Sequence, residues 1–225
     1  MNQLHLERIE MALDLDIATS HFDESTEIKK MALDLEIITS HFTQSIEIKQ
    51  LALQKMPQDI QQVGKILISC LKNGGKIMSC GNGGSALDAQ HFAAELVNRF
   101  EIERPPLAAL ALNTDGGLIS AIGNDYHFDE VFSKQVQALG SPNDVLICIT
   151  TSGQSPNIIK AIEAAQKKNI KVILLSGRKG GKALKMLSSN DTALIVPADR
   201  TARIQECHLV ILHSLCDLID RTLAL

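Results

Sequence analysis

Aromatic side chains are nearly missing from this chain: six Phe, one Tyr and no Trp make up 3% of its 225 residues. That scarcity excludes base-stacking platforms and aromatic sugar platforms alike. Charge of one sign is lacking too, since 22 Lys and Arg against 26 Asp and Glu leave a net −4. Nucleic-acid binding driven by phosphate attraction is therefore excluded. No run approaches the roughly 18 apolar residues of a membrane span, and no basic-then-apolar leader stands before a cleavage site. The expectation is a cytoplasmic protein with no membrane partner. Cys70, Cys80, Cys148, Cys207 and Cys216 lack zinc-finger spacing, and Cys80 and Cys148 fall in apolar strands, so all five are read as reduced thiols. What remains is a chain that is 45% hydrophobic, enough for one well-buried domain.

The N-terminal part carries a near-duplication, in which residues 11–22 recur at 31–42 and 27–29 recur at 47–49. An offset of 20 residues rotates a helix by about 200°, which would put the two apolar stripes on opposite faces of one straight rod. A break is expected near Asp23, Glu24 and Ser25. His21 and His41 repeat because the segment repeats, which accounts for both without a ligand. Residues 1–54 are read as a helical extension and 55–225 as the main domain. A helix over about 60–71, with Ile60, Val63, Ile66, Leu67 and Cys70 on one stripe, ends at the C-cap Asn73-Gly74-Gly75.

The rest of the chain is organised around Cys80-Gly81-Asn82-Gly83-Gly84-Ser85. A short apolar run at 76–80 reads as a strand, the glycine loop follows, and 86–96 reads as a helix. Glycines let the backbone approach a ligand, and a helix N-terminus favours an anion, so phosphate is the natural guest. His91 and Glu95 lie four apart on the same helix face. Strand-like runs recur at 107–112, 144–149, 172–176 and 192–196, with helices near 129–139, 157–168 and 202–223. The stretches 113–117 and 123–125 read as loops. That alternation predicts an α/β fold: a doubly wound parallel sheet with a helical N-terminal extension, its ligand loops at the strand C-termini. A second anion cradle follows the third strand, where Thr150, Thr151, Ser152 and Ser155 supply hydroxyls and Pro156 opens a helix. Neither loop contains lysine or the G-x-G-x-x-G spacing, which excludes a nucleotide P-loop and a dinucleotide site.

Five motifs in order then resemble the sugar isomerase (SIS) domain family, and within it the phosphoheptose isomerases: residues 80–85, 89–96, 123–125, 151–155 and Arg203-Ile204-Gln205-Glu206-Cys207-His208. The resemblance runs from about residue 43 to the C-terminus. It implies a flavodoxin-like SIS fold and conversion of sedoheptulose 7-phosphate to D-glycero-D-manno-heptose 7-phosphate, for lipopolysaccharide precursors. It also implies one Zn²⁺ per subunit on His91, Glu95, Gln205 and His213, and a homotetramer with sites between subunits. Carried over by motif, Glu95 and His213 are the catalytic pair. Substrate contacts fall on Asn82, Gly83, Gly84, Ser85, Glu95, Asn124, Asp125, Thr150, Thr151, Ser152, Ser155 and Gln205. Two departures point elsewhere: Ala202 stands where many isomerases have Asp, and the tail 215–220 resembles a non-catalytic branch that binds the replication initiator DnaA. That branch lacks the carboxylate and imidazole found here at Glu95 and His213, so the isomerase is the first reading and the initiator-binding protein the alternative.

The chemistry asks for two groups. A carboxylate takes a proton from one carbon and returns it to the next, while an imidazole moves a proton between the oxygens of an enediol-like intermediate. Eight residues on one helix separate Gln205 from His213 by about 12 Å. Sharing one ion from one chain is then strained, which leads to the expectation that a neighbouring subunit supplies at least one of them.

Overall fold

The computed structural model describes the backbone of residues 3–224 and the side chains of 26–224. The chain divides into two compact units, Met1–Ile46 and Glu47–Leu225. The division falls eight residues before the expected 54/55 boundary. Helix α1 (Gln3–Lys55) is continuous, so the break expected at 23–25 is absent. Neither Gly nor Pro occurs before Pro57, and nothing else interrupts the backbone ladder. The break was needed only if both apolar stripes had to face one body. Leu35, Ile38, Phe42 and Ile46 of the second copy are 53–70% exposed. The first copy's side chains through residue 25, His21 included, lie outside the described residues.

In the second unit, α2 (Pro57–Lys72) opens with Pro and stops at Asn73, with Gly74 at φ 73° taking the left-handed turn. There follow β1 (Ile77–Gly81), α3 (Gly84–Val97), β2 (Ala109–Ala111) and α4 (Gly116–Asp125). A 3₁₀ turn at Phe128–Glu130 precedes α5 (Ser133–Leu139), where one helix over 129–139 was expected. Then come β3 (Val145–Thr150), α6 (Pro156–Lys167), β4 (Lys171–Ser176), α7 (Gly181–Met186), β5 (Thr192–Ile195) and α8 (Thr201–Leu223). Helix α4 takes up residues 116–117 and 123–125, which were expected as loop, while 113–115 remain a turn and loop. Its glycines disguise it, but Asp115 caps it by accepting from the Leu118 N–H at 2.8 Å.

The five strands are all parallel, in the order β2-β1-β3-β4-β5. The chain moves outward from β1 to β2 and then returns to the other side with β3. The strand order therefore reverses between β1 and β3, and a crevice opens at their C-terminal ends. Side chains alternate across the sheet. Ile77, Ile147, Ile149, Ile173 and Leu175 pack with Val63 and Leu67 of α2, Phe92 and Leu96 of α3, and Ile204, Ile211 and Leu215 of α8. Met78, Cys80, Leu146, Cys148, Val172 and Leu174 face Val136 of α5, Ile158 and Ile162 of α6, and Ala183 of α7. All five cysteines are free and buried. Among the described residues no helix is long and apolar enough to cross a membrane.

Candidate active site

The crevice is built first from backbone. Gly83, at φ 56°, turns the chain from β1 into α3. Gly84 begins that helix under the Gln205 amide, whose Nε2 would lie 2.3 Å from a Cβ placed there. Only glycine admits that approach without moving Gln205. The N-terminus of α3 thus opens onto the loop with its dipole positive, where an anion is stabilised. Gly83 and Gly84 are exposed and Asn82 is half-buried, whereas Ser85, an expected substrate contact, is buried.

The two ligand loops are joined across the strand-order reversal by a reciprocal amide pair. Asn82 Nδ2 donates to Asn157 Oδ1 at 2.9 Å, and Asn157 Nδ2 donates back to Asn82 Oδ1 at 2.8 Å. Asn157 is buried in the first turn of α6, and sequence reading passed over it. In the same loop the Gly153 N–H donates to Thr150 Oγ1 at 3.2 Å and the Gln154 N–H to Ser152 Oγ at 3.2 Å. Thr150 is buried, while Thr151, Ser152 and Ser155 are half-buried around the start of α6. Asn124 and Asp125 end α4 instead, exposed, with the Asn124 amide donating to Asp125 at 2.9 Å. Among the described residues no hydrogen bond ties either of them to the glycine or hydroxyl loops.

The reactive side chains gather where α3 runs beside α8. His91 Nε2 and His213 Nε2 face each other at 2.9 Å, with ring centroids 5.2 Å apart in an edge-on arrangement. Glu95 Oε1 lies 3.6 Å from His91 Nε2, and the Phe100 ring stands 5.4 Å from His213. Two facing imidazole nitrogens hydrogen-bond when one ring donates and the other accepts. Gln205 at Gly84 and His213 at His91 occupy two stations along these helices. The separations, seven residues on α3 and eight on α8, correspond to about 10.5 and 12 Å of rise. A neighbouring subunit was expected to supply Gln205 or His213; within this one chain Gln205 meets Gly84 and His213 meets His91, both on α3.

Two titratable groups nearby were missed. Asp88, one turn before His91, has an Oδ2 atom that is buried without a partner, and burial pushes its carboxyl up to about 6, opposed by the charge of His91. Its signal in the sequence was its place three residues before His91. His208 is fully buried on α8, both ring nitrogens lack partners, and burial lowers it to about 4. The Ser176 backbone opposes that shift without an acceptable hydrogen-bond geometry. Cys216 is pushed up to about 12 by burial and then by Glu95 and Asp220, which keeps it a thiol beside the site.

Zinc, implied by the resemblance, can be tested against these donors. Among the described residues no three His, Cys, Asp or Glu side chains stand ready as an ion cage. His91, His213 and Glu95 form a linked chain of contacts instead. In kind the donors fit, since imidazole nitrogen and carboxylate oxygen are the ligands of open, catalytic zinc sites.

Residues 41–177 match the SIS domain family. The phosphoheptose isomerase of Azoarcus sp. (strain BH72) is 60% identical over 165 residues, covering 73% of this chain and 84% of that protein. The structure of phosphoheptose isomerase from Neisseria gonorrhoeae superposes with a TM-score of 0.79 at 50% identity, over 83% of this chain and 98% of that one. A phosphoheptose isomerase from Francisella tularensis gives a TM-score of 0.82 at 48% identity, over 84% and 98% of the two chains.

Proposed function

Since this chain belongs to the phosphoheptose isomerases of the SIS domain family, we propose how its own side chains carry out that aldose–ketose isomerisation, of sedoheptulose 7-phosphate to D-glycero-D-manno-heptose 7-phosphate. The observation that carries the reading is the meeting of Glu95, His91 and His213 beside the N-terminus of α3. The sugar phosphate binds at the loops 82–85 and 150–155, where the dipoles of α3 and α6 and the hydroxyls of Thr151, Ser152 and Ser155 favour an anion. That leaves the other end of the sugar to reach the pair of helices α3 and α8. Glu95, half-buried and unbranched in its reach, takes the proton from carbon and returns it to the adjacent carbon. His213, whose ring meets His91 at 2.9 Å, exchanges a proton with the sugar oxygens.

His91, His213 and Glu95, with Gln205 at the loop end, are the residues that would hold zinc. Bound there, the ion polarises a carbonyl and stabilises the charge that develops on its oxygen. The homotetramer is likewise part of this proposal. A cleft of about 590 Å³ supports it, lined by Leu53, Pro57, Ile60, Val210 and Leu218 with Lys49 and Asp217 among its lining residues. The apolar side chain of Leu53 is 72% exposed there, surface that a second copy can bury. The relatives do not favour the initiator-binding alternative. Turnover of sedoheptulose 7-phosphate by the purified protein, with and without a chelator, is the test. Activity that a chelator abolishes and zinc restores is expected; absence of turnover in the zinc-loaded protein would overturn the reading.

A further inference from the structure

The end of α3 that carries Glu95 has no basic residue in its last turn to meet its free carbonyls. A guanidinium from outside the helix meets them. Arg104 Nη2 donates to the Glu95 carbonyl at 2.8 Å, and Nη1 donates to the Leu96 carbonyl at 2.8 Å and to the Pro105 carbonyl at 3.2 Å. Its Nε donates to Asp220 Oδ1 at 2.6 Å. Asp220 is part of α8, and its other oxygen accepts the Glu101 and Ile102 N–H groups at 3.3 Å each. Both side chains of the ion pair are 0% exposed.

Asp220 follows His213 by seven residues, two turns of α8, and so lies on nearly the same helix face. One planar fork therefore holds the backbone of the residue that supplies the carboxylate, and at the same time grips the helix that supplies the imidazole. We infer that the Arg104–Asp220 pair is a positioning device that fixes the reach between Glu95 and His91 on α3 and His213 on α8; its kinetic consequence rests on the isomerase reading. Net stability is a poor account of the pair, because apolar side chains of similar volume usually stabilise a core as well as a buried ion pair does. Geometry accounts for it better: a misplacement of about 1 Å between reacting groups costs on the order of a hundredfold in rate. Arg104 touches neither the substrate loops nor the facing imidazoles, so it acts through α3 and is not itself catalytic.

Arg104→Lys tests this. Lysine keeps the charge and can still pair with Asp220, but a single ammonium cannot span the Glu95 and Leu96 carbonyls in the plane that the guanidinium fork provides. The zinc-supplemented variant is expected to lose about tenfold or more in kcat while KM for sedoheptulose 7-phosphate stays within about twofold. Its His91 and His213 imidazole ¹⁵N signals should move from their wild-type positions. If Arg104→Lys does not fold, the charge-free Arg104→Met/Asp220→Leu double variant takes its place and leaves no unpaired charge behind. In a folded variant, either unchanged imidazole signals or an unchanged kcat overturns the inference. A wild-type protein without turnover would defeat the isomerase reading instead, and the imidazole signals would still decide whether the pair sets the distance.

Discussion

Glu95→Gln keeps the size of the side chain and removes the negative charge that takes the carbon-bound proton. Turnover of sedoheptulose 7-phosphate should fall at least about a hundredfold, the usual worth of a placed general base, with the circular dichroism spectrum unchanged; a near-normal rate would remove Glu95 from that role. His208 makes a different prediction. It titrates at about 4 in the fold against an ordinary 6.5, so between those values the unfolded chain takes a proton that the folded chain refuses. Stability from this group is complete above about pH 6.5, is lost as pH falls towards 4, and changes no further below that. Asp88, raised from 3.8 to about 6, acts in the opposite sense: its contribution is complete below about pH 4 and is lost as pH rises through 6. Comparing wild type with His208→Leu cancels the Asp88 effect. Urea unfolding at pH 7 and pH 5 should show wild type losing about 2 kcal/mol more than the variant over that interval. Equal losses would show that His208 is protonated in the fold.

At the level of elements, strands and helices with strong periodicity were legible. Residues 144–149 and 157–168 were placed within a residue of β3 and α6 because an unbroken apolar run and a Pro at the first helical position leave little choice. Helix α4 was not legible, since Gly116, Gly117 and Gly123 look like turn residues until Asp115 is seen capping them. Arg104 and Asn157 escaped for a different reason. Their partners lie 116 and 75 residues away in the chain, and no local pattern announces a contact that only the completed sheet creates. His91 and Glu95 could be read because a helix brings residues four apart together by itself. The loop between β3 and α6 supplies the element-scale prediction. Gly153 sits at φ 63°, and a Cβ there would stand 1.9 Å from the Gly180 carbonyl oxygen. Backbone meets backbone, so no side chain can yield. Gly153→Ala should cost about 2 kcal/mol or more in urea unfolding and weaken phosphate binding with it; a variant as stable as wild type would show that the 178–180 turn moves freely.

For the whole molecule, the question is which parts of a site one chain supplies. Light scattering should find four copies of the 24.5 kDa chain. Within one chain His213 already meets His91, with Glu95 beside it. Mixing the inactive variants Glu95→Gln and His213→Asn under conditions of subunit exchange should therefore restore nothing beyond the sum of the two. Recovered activity would show that the working pair forms across subunits in the assembly, even though the separate chain brings the residues together.

The paired hydrogen bonds between the Asn82 and Asn157 amides also bear on how the protein ages. Asn82 precedes Gly83, a dipeptide whose flexible backbone lets the glycine nitrogen attack the asparagine side chain and expel ammonia. Held at both ends by Asn157, the Asn82 amide is not free to rotate into that attack. The product, a carboxylate, would also set negative charge against Asn157 Oδ1 and at the mouth of a phosphate cradle. Asn157→Ala should accordingly accumulate the deamidated form at residue 82 faster than wild type on prolonged incubation, read by peptide mass, and lose its hold on sugar phosphate in step.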